Sequence, residues 1–235
     1  MRILFDARTA TAHFPGIGRY VRCLAEALLD ELDASDRLIV LVPPHHRLDL
    51  PGNPLLIRRR SRVSALSPFG AGHLSLQVDR GAPDLIHLPF PLVPLATRRP
   101  LVVSVHDCIP LGRPGFEAWR GKLAWRLFGR AMLRRADRVI AVSQTVADGC
   151  RRRFGAAMAA KTTVVHHGVS PHFAPCPAAA VRVFCERKRI PGNYFLYVGS
   201  DRGHKNIGVL LRMLASADET AMLPLVIAGM QSDTP

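Results

Sequence analysis

Two rhythms of apolar residues alternate along this chain. Short, nearly continuous runs rich in β-branched side chains occupy 2–7, 37–42, 84–88, 101–105, 138–142 and 162–166. Runs of this kind fit inner strands of a parallel sheet, which is covered on both faces. Between them, Val21, Leu24, Ala25, Leu28, Leu29 and Leu32 recur at helical spacing and predict a helix over Tyr20–Leu32. A second helix is expected over Thr145–Phe154 with Ser143 as its N-cap, and a third over Pro177–Lys188 after a proline-rich hinge at 171–177. The stretch 43–83 is poorly patterned, with prolines at 43, 44, 51, 54 and 68 and one short candidate strand, Leu55–Arg58. Beyond Pro191-Gly192, Tyr194–Val198 reads as a strand, Ile207, Leu210, Leu211 and Leu214 as a helical stripe, and Leu225–Ala228 as a further strand.

Strand alternating with helix predicts an α/β, doubly wound sheet of Rossmann type, whose ligands sit beyond the carboxyl ends of the strands. Residues 1–175 read as one such domain and 176–192 as a linker. Residues 193–235 supply a single βαβ unit, so the expectation is an incomplete second domain.

Composition narrows the partners. The 235 residues are 48% apolar and 6% aromatic, enough to pack a core. No uncharged apolar run approaches the roughly 18 residues of a membrane span, and Asp6 interrupts Met1–Phe5 before it could form a signal-peptide core, so a cytoplasmic chain is expected. Cys23, Cys108, Cys150, Cys176 and Cys185 show no metal-ligand spacing, and their odd number speaks against a disulfide framework. The net charge of +14 is uneven: residues 193–235 hold three Lys/Arg and four Asp/Glu, leaving +15 on residues 1–192. An anionic partner for the first part follows, whether a membrane surface, an anionic lipid or a nucleic acid. Nucleic acid ranks last, because no recognition motif or interleaved aromatic platform is present.

Four stretches carry candidate chemistry. Phe14-Pro-Gly-Ile-Gly-Arg-Tyr places Gly16 and Gly18 directly before a helix, where a polar ligand can approach the helix N-terminus, although an ordinary flexible loop fits equally. The third glycine of the dinucleotide fingerprint is absent, since position 21 is Val. His106 and Asp107 stand at the carboxyl end of the run 101–105, a placement that suits a cleft residue as well as a structural histidine. Trp119–Arg138 carries seven cations and two tryptophans on one predicted helix, which fits an interfacial membrane helix and equally a core-packed helix with a solvated basic face. Arg202, His204 and Lys205 lie in the turn between a strand and a helix, as for a nucleotide phosphate or as solvated loop residues.

These stretches together resemble retaining glycosyltransferases of family four, which have the GT-B fold of two facing Rossmann-like domains. The resemblance rests on Pro-Gly-Ile-Gly-Arg-Tyr at 15–20, Val-His-Asp-Cys-Ile-Pro-Leu at 105–111, Ala-Asp-Arg-Val-Ile-Ala-Val-Ser at 136–143, Val-Val-His-His-Gly-Val-Ser-Pro-His-Phe at 164–173 and Tyr-Val-Gly-Ser-Asp-Arg-Gly-His-Lys-Asn at 197–206. It implies transfer of a hexose, with mannose as first candidate, from a nucleotide diphosphate sugar to a glycan or lipid-linked acceptor. The first domain would hold the acceptor and the second the donor. Gly16 and Gly18 would lie near the donor phosphates and acceptor, His106 would line the reaction centre beside Asp107, and Lys205 with Arg202 would neutralise the diphosphate. No cofactor or metal is implied, since the cations take over leaving-group stabilisation. A role in cell-envelope polysaccharide synthesis at the inner face of the membrane would follow.

Two departures qualify the resemblance. His204 stands where many relatives have an arginine. The family's spaced pair of glutamates is absent, as no two Glu residues here stand eight positions apart. The expectation is therefore a chain truncated within the donor domain and without appreciable turnover; a non-catalytic acceptor- or membrane-binding remnant is the alternative.

Overall fold

A computed structural model describes residues 1–11, 15–44, 48–65, 67, 69–90, 97–108, 129–199, 205–216 and 223–229. They form two compact units, residues 1–168 and 169–235.

The first unit is built on seven parallel strands: β1 (Arg2–Asp6), β2 (Arg37–Val42), β3 (Leu56–Arg60), β4 (Leu85–Leu88), β5 (Leu101–Val105), β6 (Arg138–Ala141) and β7 (Thr162–Val164). Their spatial order is β3-β2-β1-β4-β5-β6-β7. The chain first winds outward from β1 to β3, then crosses back to place β4 on the other side of β1. This reversal opens a crevice at the carboxyl ends of β1 and β4, the usual ligand position in a doubly wound sheet. The expected α/β, doubly wound Rossmann-like sheet is the one observed.

Alternation along the strands explains the two cores. Ile3 and Phe5 of β1 face one side with Leu38 and Val40, against Val21, Ala25 and Leu29 of helix α1 (Pro15–Glu31). Leu4 faces the other side with Ile86, Leu101 and Val103, against Leu74 and Val78 of α2 (Gly70–Gly81), Met132 and Leu133 of α3 (Arg130–Arg135), and Val146 and Cys150 of α4 (Gln144–Phe154). Successive strand side chains point to opposite faces, so one apolar run serves both layers. A short α5 (Ala156–Ala160) precedes β7.

Two expectations need correction, and one helix lies where no element was expected. Helix α1 begins at Pro15, so Gly16 and Gly18 lie in its first turn rather than ahead of it. Proline is well suited there, because its fixed φ is helical and its missing N–H has no intrahelical partner to lose. Helix α2 escaped the periodicity because its buried stripe is Gly70, Leu74, Gln77, Val78 and Gly81, only partly apolar. An added Cβ at Gly70 would meet the Ala65 carbonyl oxygen at 2.9 Å, so only glycine allows this close approach. Of the helix expected over Trp119–Arg138, residues 119–128 lie outside the described residues; α3 ends at Arg135, and Arg138 opens β6 instead. In α3 Met132 and Leu133 are buried while Arg130 and Arg134 are exposed, the core-packed alternative for this part.

The second unit has a parallel pair, β8 (Phe195–Val198) and β9 (Leu225–Ala228), in register from Phe195↔Leu225 to Val198↔Ala228. Its helices are α6 (Ala178–Lys188) and α7 (Ile207–Ala215), neither of which contains a buried residue. No helix among the described residues is long and apolar enough to cross a membrane.

Candidate functional site

The crevice of the first unit is walled by polar groups at the ends of buried strands. Chain direction forces this: apolar residues fill the strand interiors, and the first positions past the sheet are where polar side chains escape the core. Asp6 ends β1 and grips Arg8 through two contacts, Oδ1 from Nε and Oδ2 from Nη2, each 2.8 Å. Arg8 Nη1 also donates to the Gly70 carbonyl at 3.2 Å, which ties the loop after β1 to the start of α2. Burial works against the guanidinium charge, but the Asp6 carboxylate outweighs it and Arg8 is held above its ordinary pKa.

Behind the crevice lies a chain of three hydroxyl and imidazole groups. Ser104 of β5 is fully buried; its Oγ lies 2.9 Å from His87 Nε2 on β4 and 2.9 Å from the Tyr20 hydroxyl on α1. One serine proton satisfies both neighbours in either direction, from Tyr20 through Ser104 to His87 or the reverse. Burial, with a smaller contribution from the field of His106, pushes His87 down to about 4, so it is neutral at physiological pH. Burial also raises the Tyr20 phenol, partly offset by its bond to Ser104, and Tyr20 keeps its proton.

At the front, three rings meet. Tyr20 stands edge-on to His106, with centroids 4.7 Å apart, and edge-on to His167 at 5.0 Å. The two imidazoles stack at 5.7 Å. His106 Nε2 lies 2.9 Å from the Pro89 carbonyl oxygen, which can only accept, so Nε2 carries the proton. Burial lowers the His106 pKa foremost and His167 adds to this, against the opposing effects of the Pro89 bond and Asp107. The ring is therefore neutral near pH 7, with Nδ1 as its acceptor. A neutral imidazole with one fixed N–H and one bare nitrogen can accept a hydrogen bond from a ligand hydroxyl.

Of the residues singled out from sequence, His106 lies in this cluster and exposed Asp107 adjoins it. Gly16 and Gly18 occupy the first turn of α1, one turn before Tyr20; a Cβ on Gly18 would meet Ala10 Cα at 3.5 Å, and one on Gly16 would meet nothing within 4 Å. Lys205 is exposed, directly before α7 in the second unit. Arg202 and His204 lie outside the described residues, as does Phe14. Sequence reasoning gave no role to Tyr20, His87, Ser104 or His167, although Tyr20 and His167 stand within the motifs at 15–20 and 164–173. The readable signal was a polar residue near the carboxyl end of an apolar strand, as in Leu-Ile-His-Leu and Leu-Val-Val-Ser-Val. Among the described residues no group of three His, Cys, Asp or Glu side chains is placed to hold a metal.

Comparison with known proteins agrees with this fold. The Anabaena protein Alr3699/HepE, solved with UDP and glucose, superposes with a TM-score of 0.64 at 19% identity, over 98% of this chain and 61% of its own. Its complex with UDP-glucose gives 0.63 at 17% identity, with the same coverage of 98% and 61%. MnaA of S. aureus bound to UDP gives 0.51 at 12% identity, over 99% of this chain and 63% of its own. This chain thus spans about three fifths of the length of those neighbours. No curated protein sequence matches it. A family model described as Glycosyltransferase Family 4 matches residues 15–173, a stretch that runs from the first turn of α1 through the ring cluster and past β7, and on that match the chain belongs to glycosyltransferase family 4.

Proposed function

We propose that the whole protein is a retaining glycosyltransferase that moves a hexose from a nucleotide diphosphate sugar to a glycan or lipid-linked acceptor. The observation that carries this reading is His106, held by the Pro89 carbonyl and two neighbouring rings at the carboxyl end of β5 in a family 4 sheet. Residues 1–175 hold the acceptor, 193–235 open the donor side, and 176–192 join them. His106 Nδ1 accepts a hydrogen bond from the transferred sugar, with Asp107 beside it. Gly16 and Gly18 leave the start of α1 bare for a polar group of donor or acceptor. Lys205 and Arg202 carry the donor diphosphate, whose departing charge they stabilise. The UDP and UDP-glucose found in the neighbours make uridine nucleotide sugars the first donors to test, followed by nucleotide diphosphate mannose.

The test is turnover of the whole protein with a panel of nucleotide sugars and of glycan and lipid-linked acceptors, with the anomeric configuration of the product read by NMR. Transfer with retention is expected, and His106→Ala should lower kcat/KM about 10- to 100-fold, the kinetic equivalent of one lost hydrogen bond in a dry site. Undiminished turnover by that variant refutes the role of His106; inversion refutes the retaining mechanism. No transfer from any donor refutes the activity.

A second reading, contact with an anionic membrane, is favoured by exposed cations at the opposite end of the sheet. Arg98, Arg99 and Arg135 line an open cavity of about 760 Å³, and exposed Arg134 and Arg138 are their close sequence neighbours. Arg135 is already engaged with the carbonyl oxygens of Thr97 and Arg99 and with Asp137. Co-sedimentation should then be stronger with anionic than with neutral vesicles and should weaken with salt. Equal binding to both removes this reading.

A further inference from the structure

Two residues beyond His106, Cys108 rests on helix α4, and its Sγ lies 4.0 Å from Sγ of Cys150. Among the described residues this is the one thiol–thiol contact. The helix is shaped to admit it. A Cβ on Gly149 would stand 3.0 Å from Cys108 Sγ and 3.5 Å from its Cβ, so any side chain at 149 would push Cys108 away. Cys150 is fully buried and Cys108 half-buried, whereas Cys23 and Cys176 are exposed.

The surroundings divide the roles of the two sulfurs. The hydrogen bond with Cys150 lowers the Cys108 thiol pKa, and the positive charges of Arg153 and Arg152 assist against burial and Asp107. The same bond and burial push the Cys150 thiol up. A thiolate is the reactive form of cysteine, and a neighbouring thiol is what resolves its first oxidation product.

We propose that Cys108 and Cys150 form an oxidant-sensitive dithiol, a modification site at which a small peroxide joins the loop after β5 to helix α4. The Cys108 thiolate attacks one oxygen of hydrogen peroxide; the O–O bond breaks, leaving a sulfenic acid, and the departing hydroxide takes up the proton that Cys108 released. Cys150 sulfur then attacks Cys108 sulfur, the S–O bond breaks, and the sulfenic oxygen leaves as water with the Cys150 proton. Two thiols lose two electrons, and one peroxide becomes two waters. A small oxidant suits a half-buried entry, and buried Cys150 is reached through Cys108. Closure brings the sulfurs from 4.0 Å to about 2.05 Å. That movement draws on the segment carrying His106, so the site couples oxidation to the ring cluster.

The test is peptide mapping of the whole protein after hydrogen peroxide at low molar excess, with free thiols alkylated before digestion. The expected product is a Cys108–Cys150 cross-linked peptide, lighter by two hydrogens and reversed by a thiol reductant. Within this chain, titratable thiols fall from five to three. In Cys150→Ala, Cys108 should instead accumulate a sulfenic acid that dimedone traps. Recovery of Cys108 in its alkylated form, or as sulfinic or sulfonic acid without the cross-link, overturns the proposal. So do identical products from wild type and Cys150→Ala. The wild-type map decides alone if the variant does not fold.

Discussion

Residues 1–168 and 169–235 use the same parallel strand–helix–strand unit, yet their apolar stripes meet different fates. In the first, α1 buries Val21, Ala25 and Leu29, and the strands beneath it are almost free of solvent. In the second, α7 carries Leu210, Leu211 and Leu214 at equivalent spacing, but none is buried; Leu211 is 46% exposed, and on β8 Val198 is 71% exposed. The local code is the same in both. What differs is that the described residues place a facing surface against the first stripe and none against the second, and a stripe gains burial energy only from such a surface.

The largest test of this contrast is truncation of matched apolar side chains. Ile86→Ala, in the fully buried centre of β4, should cost about 2–5 kcal/mol. Leu211→Ala on α7 should stay within about 0.5 kcal/mol, as for an exposed position. Urea unfolding of each variant reads both numbers, and equal losses would break the comparison.

The next effect is pH dependence, which only the first unit should show strongly. Burial holds His87 at about 4 against an ordinary 6.5, so the unfolded chain binds this proton more readily than the folded one. Its contribution is fully present above pH 6.5 and drains away as pH falls from 6.5 towards 4, about 3 kcal/mol in all. His87→Gln should flatten unfolding free energy against pH across that window. An unchanged slope would show that His87 is not desolvated as described.

The smallest effect compares helix caps. Ser143 Oγ accepts from the Val146 N–H at 3.3 Å at the start of α4, and Ser143→Ala should cost about 1 kcal/mol. Asn206, at the N-cap of α7, has φ of 51° and makes no side-chain cap bond. Glycine tolerates that conformation, so Asn206→Gly should change stability by a few tenths of a kcal/mol at most. Thermal unfolding of the two variants sharpens the contrast, and a larger loss at Asn206 would reverse it.

Much of the first unit was legible because its signals are local. Strands β2 and β5 match their apolar runs residue for residue, and Ser143 caps the helix that its position announced. Helix α2 was not legible, because glycine and glutamine take buried positions where the neighbouring loop presses close. His106 could be singled out from its place after a strand, whereas His87 and Ser104 sat inside runs that read as plain core.

The sequence by itself determined the alternation of strands and helices, the parallel α/β class and the polar residues waiting at strand ends, because these depend on periods of two and 3.6 within a few neighbours. Only the tertiary structure decided which of those residues meet. Tyr20 and Ser104 are 84 residues apart, and His87 and Ser104 are 17 apart, yet both pairs lie at hydrogen-bond distance because the crossover sets β4 between β1 and β5. The same holds for Cys108 and Cys150, brought together by the approach of one loop to one glycine on α4. Such contacts follow from strand order and register, which no local period encodes.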